Sequence, residues 1–339
     1  MLQHPWHPDV ANANSRSSMM LASENGHTEV VELLLEAGAD KDFTDNRRVS
    51  SLMLATQSGQ IDVVSLLLEH GADTTFVETQ WGMTALFLAS LHGHVDLVRL
   101  LLQAGADKDH ANNGGVTSLM IASQQGHVQV VRLLLEAGAA KDTACNADHM
   151  TALLAASSRN HVDVVRLLLE AGVHINHKKT LGATALMLAS AHGHVEVARL
   201  LLETGADKDV ADDDPGMTAV TFACENGRAQ VLRLLLEAGA RDVADNEGYT
   251  GLMLASRNGD VEVVRLLLDS GADTSLANDE GLTALMFASK HGHVQVSQLL
   301  LGSGADRKFA NKDGLTALML ASREGHEEIV RLLQFDESN

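Results

Sequence analysis

Histidine is the residue type that most invites chemistry in this chain, which holds 17 of them. Three pairs stand one glycine apart, at His92 and His94, His192 and His194, and His291 and His293. Two imidazoles that close could begin a metal site, but zinc needs three or four ligands and no third stands near any pair. The acidic stretch DKDVADDDPGMT (207–218) has the look of a calcium loop. A calcium loop needs glycine in sixth place and glutamate in twelfth, and here those places hold Asp212 and Thr218. Nucleophile motifs, phosphate loops and paired-carboxylate clefts are also missing, so the sequence predicts no metal, no cofactor and no enzymatic activity.

The elements that would have to position these residues recur along the chain. TALMLAS (184–190) returns in altered form as TALFLAS (84–90), TSLMIAS (117–123), TGLMLAS (250–256) and TALMFAS (283–289). A Ser or Thr opens each of ten units: Ser17, Ser50, Thr84, Thr117, Thr151, Thr184, Thr218, Thr250, Thr283 and Thr316. In the first nine a glycine follows 21 residues later, from Gly38 to Gly304, and the glycines are 32 to 34 residues apart. All length variation thus falls between that glycine and the next Thr. A segment of fixed length is packed and one of variable length is a surface loop. His27, His94, His127, His161, His194, His293 and His326 share one place in the unit, which makes them scaffold rather than chemistry.

Within the constant block, Thr84 can cap a helix that Gly93 ends, and a second helix runs to Gly105, which suits a left-handed C-cap. The second helix carries Val95, Leu97, Val98, Leu100, Leu101 and Leu102. That apolar face is too wide for one neighbour, so burial from both sides is expected. ADKDHANNGGV (106–116) reads as an exposed hairpin-like turn. An arginine row at Arg99, Arg132, Arg166, Arg199, Arg233, Arg265 and Arg331, flanked by acids as at Asp163 and Glu170, reads as a solvated outer face.

A turn plus two helices every 33 residues or so, with GH between the helices and GAD after them, resembles the ankyrin repeat. Thr184, Ala185, Leu186, Ala189, Gly193, His194, Leu200, Leu201, Gly205, Ala206 and Asp207 carry the resemblance, with counterparts in most units. It implies an all-α repeat solenoid: a tail over 1–8, then an array of about ten helix-turn-helix units over 9–339. The family's TPLH is TALM here, and the lost histidine normally ties neighbouring repeats. Met20, Met53, Met120, Met187, Met253, Met286 and Met319 are expected to form a buried thioether row in its place. An elongated monomer is expected, sealed better at the C-terminal end, where Glu324, Glu327 and Glu328 stand. The first unit is expected to expose Met19 and Leu21 beneath a covering Trp6.

Composition agrees. A formal net charge of −20 argues against nucleic acid, and seven Phe, two Trp and one Tyr leave little for base stacking. No apolar run reaches membrane-spanning length and the N-terminus lacks a signal-peptide pattern. Cys145 and Cys224 fall in different parts of the repeat about two units apart, too far to bridge, which points to the cytoplasm or nucleus.

The resemblance implies a non-enzymatic adaptor or scaffold that holds a protein or peptide on the concave side, made by turn tips and first-helix ends. The alternative is a targeting or autoinhibitory region of a larger enzyme or channel. Mapped here, the turn tips bring Trp81, Lys178, Lys179, Leu181, Tyr249 and Leu282. The helix ends bring Leu91, His92, Gln125, Arg159, His192, Asn258 and His291. Trp81 and Tyr249 could anchor a partner or wedge between turns. The lysines could select a charged partner or neutralise the acidic turn that follows.

Overall fold

The computed structural model describes residues 8–334, so the expected place of Trp6 lies outside the described residues. Twenty α-helices and one short 3-10 turn are present among the described residues, with no strand. They form two compact units, Met1–His174 and Ile175–Asn339, holding five repeats each. The all-α repeat solenoid expected from the sequence is what the structure shows.

Repeat 3 illustrates the local logic. Its first helix, Ala85–His92, starts where the Thr84 hydroxyl accepts the Phe87 N–H at 3.2 Å. It ends at Gly93, whose φ of 73° a side chain would resist. The second helix, Val95–Gln103, buries Leu97, Val98 and Leu101 and turns Arg99 to solvent. Ala85 to Ser90 are all buried, because the first helix has a repeat on either side. The arginine row is exposed in both units.

Between repeats the chain folds back as a hairpin-like turn closed by a single antiparallel bridge, such as Ala111 to Thr117 or Ala277 to Thr283. One side chain organises most of these turns. Asn112 accepts the N–H groups of Gly114 and Val116, and Asp45 does the same for Arg47 and Val49, all within 3.0 Å.

The methionine row is buried from Met20 to Met286, and two members are more than filler. The sulfurs of Met120 and Met187 accept the N-cap amides of Thr117 and Thr184 at 3.4 and 3.3 Å. Met319 departs from expectation. It is 52% exposed, since none of the described residues packs on its side of repeat 10. Met19 departs the other way and is fully buried, while Leu21 is exposed as expected. Among the described residues repeat 1 exposes Leu21, Val30 and Leu33 and the open side of repeat 10 exposes Met319, so neither end is closed and more apolar surface is open at the N-terminal one.

Repeat 8 keeps the usual cap, with the Thr250 hydroxyl accepting the Met253 N–H at 3.3 Å, and adds a second. Its turn is one residue short, and the Asp242 carboxylate reaches in to accept the N–H groups of Gly251 and Leu252 at 2.5 and 2.9 Å. Burial raises this carboxyl above the usual carboxylate range, against the lowering effect of those two bonds. The native state therefore holds the proton to higher pH than the unfolded chain does. Stability from this group is full below the unfolded pKa and falls as pH rises through the folded one. Asp242→Ala should cost about 1–2 kcal/mol at acid pH. Urea unfolding of both proteins at matched pH should show that margin shrinking as pH rises, and a margin that widens would contradict the assignment.

Candidate functional site

The turn tip stands before the start of each first helix and the candidate helix-end residues at its far end, and what each can offer follows from how it is fastened. The turns are linked by backbone bonds from one repeat to the next. In the first unit the Asn113 N–H donates to the Trp81 carbonyl and the Asn146 N–H to the Gly114 carbonyl, both at 2.9 Å. In the second unit Asn246 donates to Pro215 and Asp279 to Glu247, at 2.8 and 2.9 Å. The tips therefore form a rigid edge whose free chemistry is in its side chains.

Trp81 sits on such an edge, in a turn one residue longer than its neighbours. There Glu78 replaces the usual Asp or Asn and takes the N–H groups of Gln80 and Trp81. The indole is 58% exposed. In the second unit Leu181 is 66% exposed at a φ of 69°, inside the 3-10 turn Thr180–Gly182. The other apolar tip residues are used internally. Leu282 is buried, so its side chain presents no contact surface. Tyr249 is half-buried, with its ring 5.7 Å from that of Phe287 in the next repeat.

Lys178 is committed as well. Its ammonium meets the Asp213 carboxylate at 3.0 Å and the Ala211 carbonyl at 2.9 Å, both on the following turn. The basic turn and the acidic turn after it thus neutralise each other in part, with Lys179 half-buried beside them.

At the helix ends the structure assigns the shared histidine a role the sequence left unspecified. His127 donates from Nε2 to the Leu91 carbonyl of the preceding repeat at 3.1 Å, and His161 likewise to Gln124 at 2.9 Å. In the second unit His293 donates to Arg257 and His326 to Lys290, both at 3.0 Å. Where the histidine is replaced the tie survives. Arg228 donates from Nε to Ala191 at 3.1 Å, and Gln60 from Nε2 to Glu24 at 3.4 Å. Asn258 does the same from a neighbouring place, reaching Glu225 at 2.7 Å. These acceptors are backbone carbonyls, which leave no mark in a sequence.

The first histidine of each H-G-H stays near the surface. His192 and His291 donate from Nδ1 to Leu188 and Phe287 in their own helices, at 2.8 and 2.9 Å. Their rings face those of His194 and His293 at 5.5 and 6.2 Å. His92 lies 5.8 Å from His94, and desolvation, followed by repulsion from His94 and His127, holds it below the ordinary imidazole range. Among the described residues no three His, Cys, Asp or Glu side chains converge as a metal cage would require. Gln125 and Arg159 are exposed and Leu91 is half-buried. Beside His192 a shallow polar depression is lined by Gly193, Arg228, Gln230 and Glu262.

Cys145 and Cys224 are unpaired. Cys145 donates to Asp148 at 2.9 Å within its own turn, and burial, then Asp242 and Asp260, push the Cys224 thiol well up, away from the nucleophilic thiolate. No helix among the described residues is long and apolar enough to cross a membrane.

Compared with known families, the chain matches the model for ankyrin repeats (3 copies) over residues 1–77, 72–145, 140–212, 204–278 and 253–339. No curated protein matches the chain.

Proposed function

The chain belongs to the ankyrin-repeat family, whose repeats are generally protein-interaction modules and typically not enzymes, and on that premise we propose that it is a non-enzymatic adaptor or scaffold. Its ligand is a protein or peptide held along the turn tips and first-helix ends, the face that is concave in the family. Unpaired cysteines fit a cytoplasmic or nuclear setting. The observation that carries the reading is the outward display of Trp81 and Leu181 on edges fixed by inter-repeat backbone bonds. A solvated turn gains nothing from either side chain, whereas an aromatic anchor on a rigid edge loses little entropy on binding.

The opposite face offers less. Arg132 and Arg166 are exposed on second helices among acidic and polar neighbours, and a partner there would meet mobile, solvated charge. The test begins with affinity capture on the immobilised chain and titration of the recovered partner. Trp81→Ala or Leu181→Ala should then weaken binding by about 2 kcal/mol or more, and Arg132→Ala with Arg166→Ala by much less. Tyr249→Ala is expected to lower stability rather than affinity, because its ring is already packed. Greater loss from the arginine pair, at matched thermal stability, would overturn the proposal.

A further inference from the structure

Every junction inside a unit joins the trailing face of one repeat to the leading face of the next, and the first and last repeats each keep one such face that no described residue covers. The leading face of repeat 1 exposes Leu21, Val30 and Leu33. Val30 is 46% exposed, whereas its counterparts Val63, Leu97 and Val130 are fully buried. The trailing face of repeat 10 exposes Met319, with Leu318, Ser322, Arg323, Val330 and Gln334 around it.

The two faces match in finer detail. In the interior, Gly93, Gly126, Gly259 and Gly292 each lie against the histidine ring of the following repeat, so closely that a Cβ there would be 2.5 to 2.8 Å from the ring. Gly325 has the same left-handed backbone, with φ 79°, and none of the described residues brings an atom within 4 Å of where a Cβ would stand. It is a vacant histidine seat. Gly314 at the last turn tip is vacant in the same way, while its counterparts Gly115 and Gly281 meet the next turn within 3 Å. At the other end His27 occupies the tie position and is exposed.

Charge follows the same register. Within the second unit Arg233 of repeat 7 faces Glu262 of repeat 8 at 3.9 Å, and Glu225 faces Arg257 across the same junction at 3.8 Å. The corresponding residues of repeats 10 and 1 are Arg331 with Glu29, and Arg323 with Glu24. Both pairs are of opposite sign.

We infer that the trailing face of one chain receives the leading face of a second copy, head to tail, in continuation of the interface already formed between repeats. His27 of one copy would then fill the seat at Gly325 of the other, and Val30 would cover Met319. The faces differ, so each association leaves one of each kind free, and the contact builds an open series rather than a closed dimer. This departs from the monomer expected from the sequence.

Sedimentation velocity on the full chain over a range of concentrations, at about 0.15 M salt, where charge is screened beyond about 8 Å, should show average mass rising from one chain through dimer and trimer. Val30→Glu blocks only the leading face and Met319→Glu only the trailing face, each at an exposed position that leaves the core intact. Circular dichroism melting verifies that both still fold. Each variant alone should remain at the mass of one chain. Mixed in equal amounts they should form a dimer and stop, because Val30→Glu still offers a trailing face and Met319→Glu a leading one. Three results overturn the inference: one-chain mass at every concentration, as when terminal residues cover the faces; unchanged association of either variant; or a mixture that stays monomeric.

Discussion

Met187→Ala is expected to cost about 2–5 kcal/mol of stability, while Met319→Ala at the same place in the repeat costs less than about 0.5 kcal/mol. The two residues share sequence context, helix and position, and differ in what lies over them. Met187 is 1% exposed under repeat 7, and its sulfur also accepts the Thr184 N–H at 3.3 Å. Alanine leaves a cavity there and an amide without its partner. Met319 is half in solvent, so truncation removes little buried area. Urea unfolding followed by circular dichroism measures both, and equal costs would show that burial does not separate the two sites.

The second large effect is expected at Gly126. Alanine there meets two penalties: about 1–2 kcal/mol for a side chain in the left-handed region, and displacement of the His161 ring, whose nearest atom lies 2.5 Å from where a Cβ would stand. Moving that ring breaks its bond to the Gln124 carbonyl, adding about 1 kcal/mol or more. Gly126→Ala should therefore cost about 2–4 kcal/mol in all. Gly325→Ala has the same φ and an empty seat, so only the backbone penalty remains. The difference between the two, read from thermal or urea unfolding, isolates the histidine contact, and no difference would refute it.

Much of this architecture is legible in the sequence because it depends on short-range periodicity. The Thr caps and the glycine stops follow from residue types at fixed spacing and hold in repeat 3, whereas its second helix buries Leu97, Val98 and Leu101 and leaves Val95, Leu100 and Leu102 half-buried, a narrower burial than the width of its apolar face suggests. The buried methionine row is legible for the same reason up to Met286. Met319 is not, because its burial depends on a neighbour that a periodic pattern cannot supply. Met19 is inward because it stands at the register of Leu52, Leu86 and Leu119, buried in their own repeats, whereas Leu21 stands at that of Leu54 and Leu88, which have a preceding repeat beside them.

The candidate site is harder to read, since turns have no periodicity. Trp81, Leu181, Leu282 and Tyr249 look alike as apolar residues in polar turns. Trp81 and Leu181 stand three residues before their Thr and are exposed, while Leu282 and Tyr249 stand directly before theirs, Leu282 buried and Tyr249 against Phe287. The histidine ties are invisible as bonds although their residues stand out as scaffold, because the acceptors are carbonyls one repeat away.

The seats beside those ties are not uniform, and this bears on how the chain finds its own order. Nearly identical helix pairs can dock against the wrong neighbour while folding, a characteristic hazard of repetitive chains. Gly93, Gly126, Gly259 and Gly292 receive imidazole rings, but Gly26 receives the Gln60 amide, Gly193 the Arg228 guanidinium and Gly227 the Asp260 carboxylate. A repeat that slips by one place would bring a ring to a glycine packed by a guanidinium, or a carboxylate to one packed by a ring, and so change the fit at that junction. The exceptions to the pattern thus act as addresses, penalising misregister at the junctions where they occur.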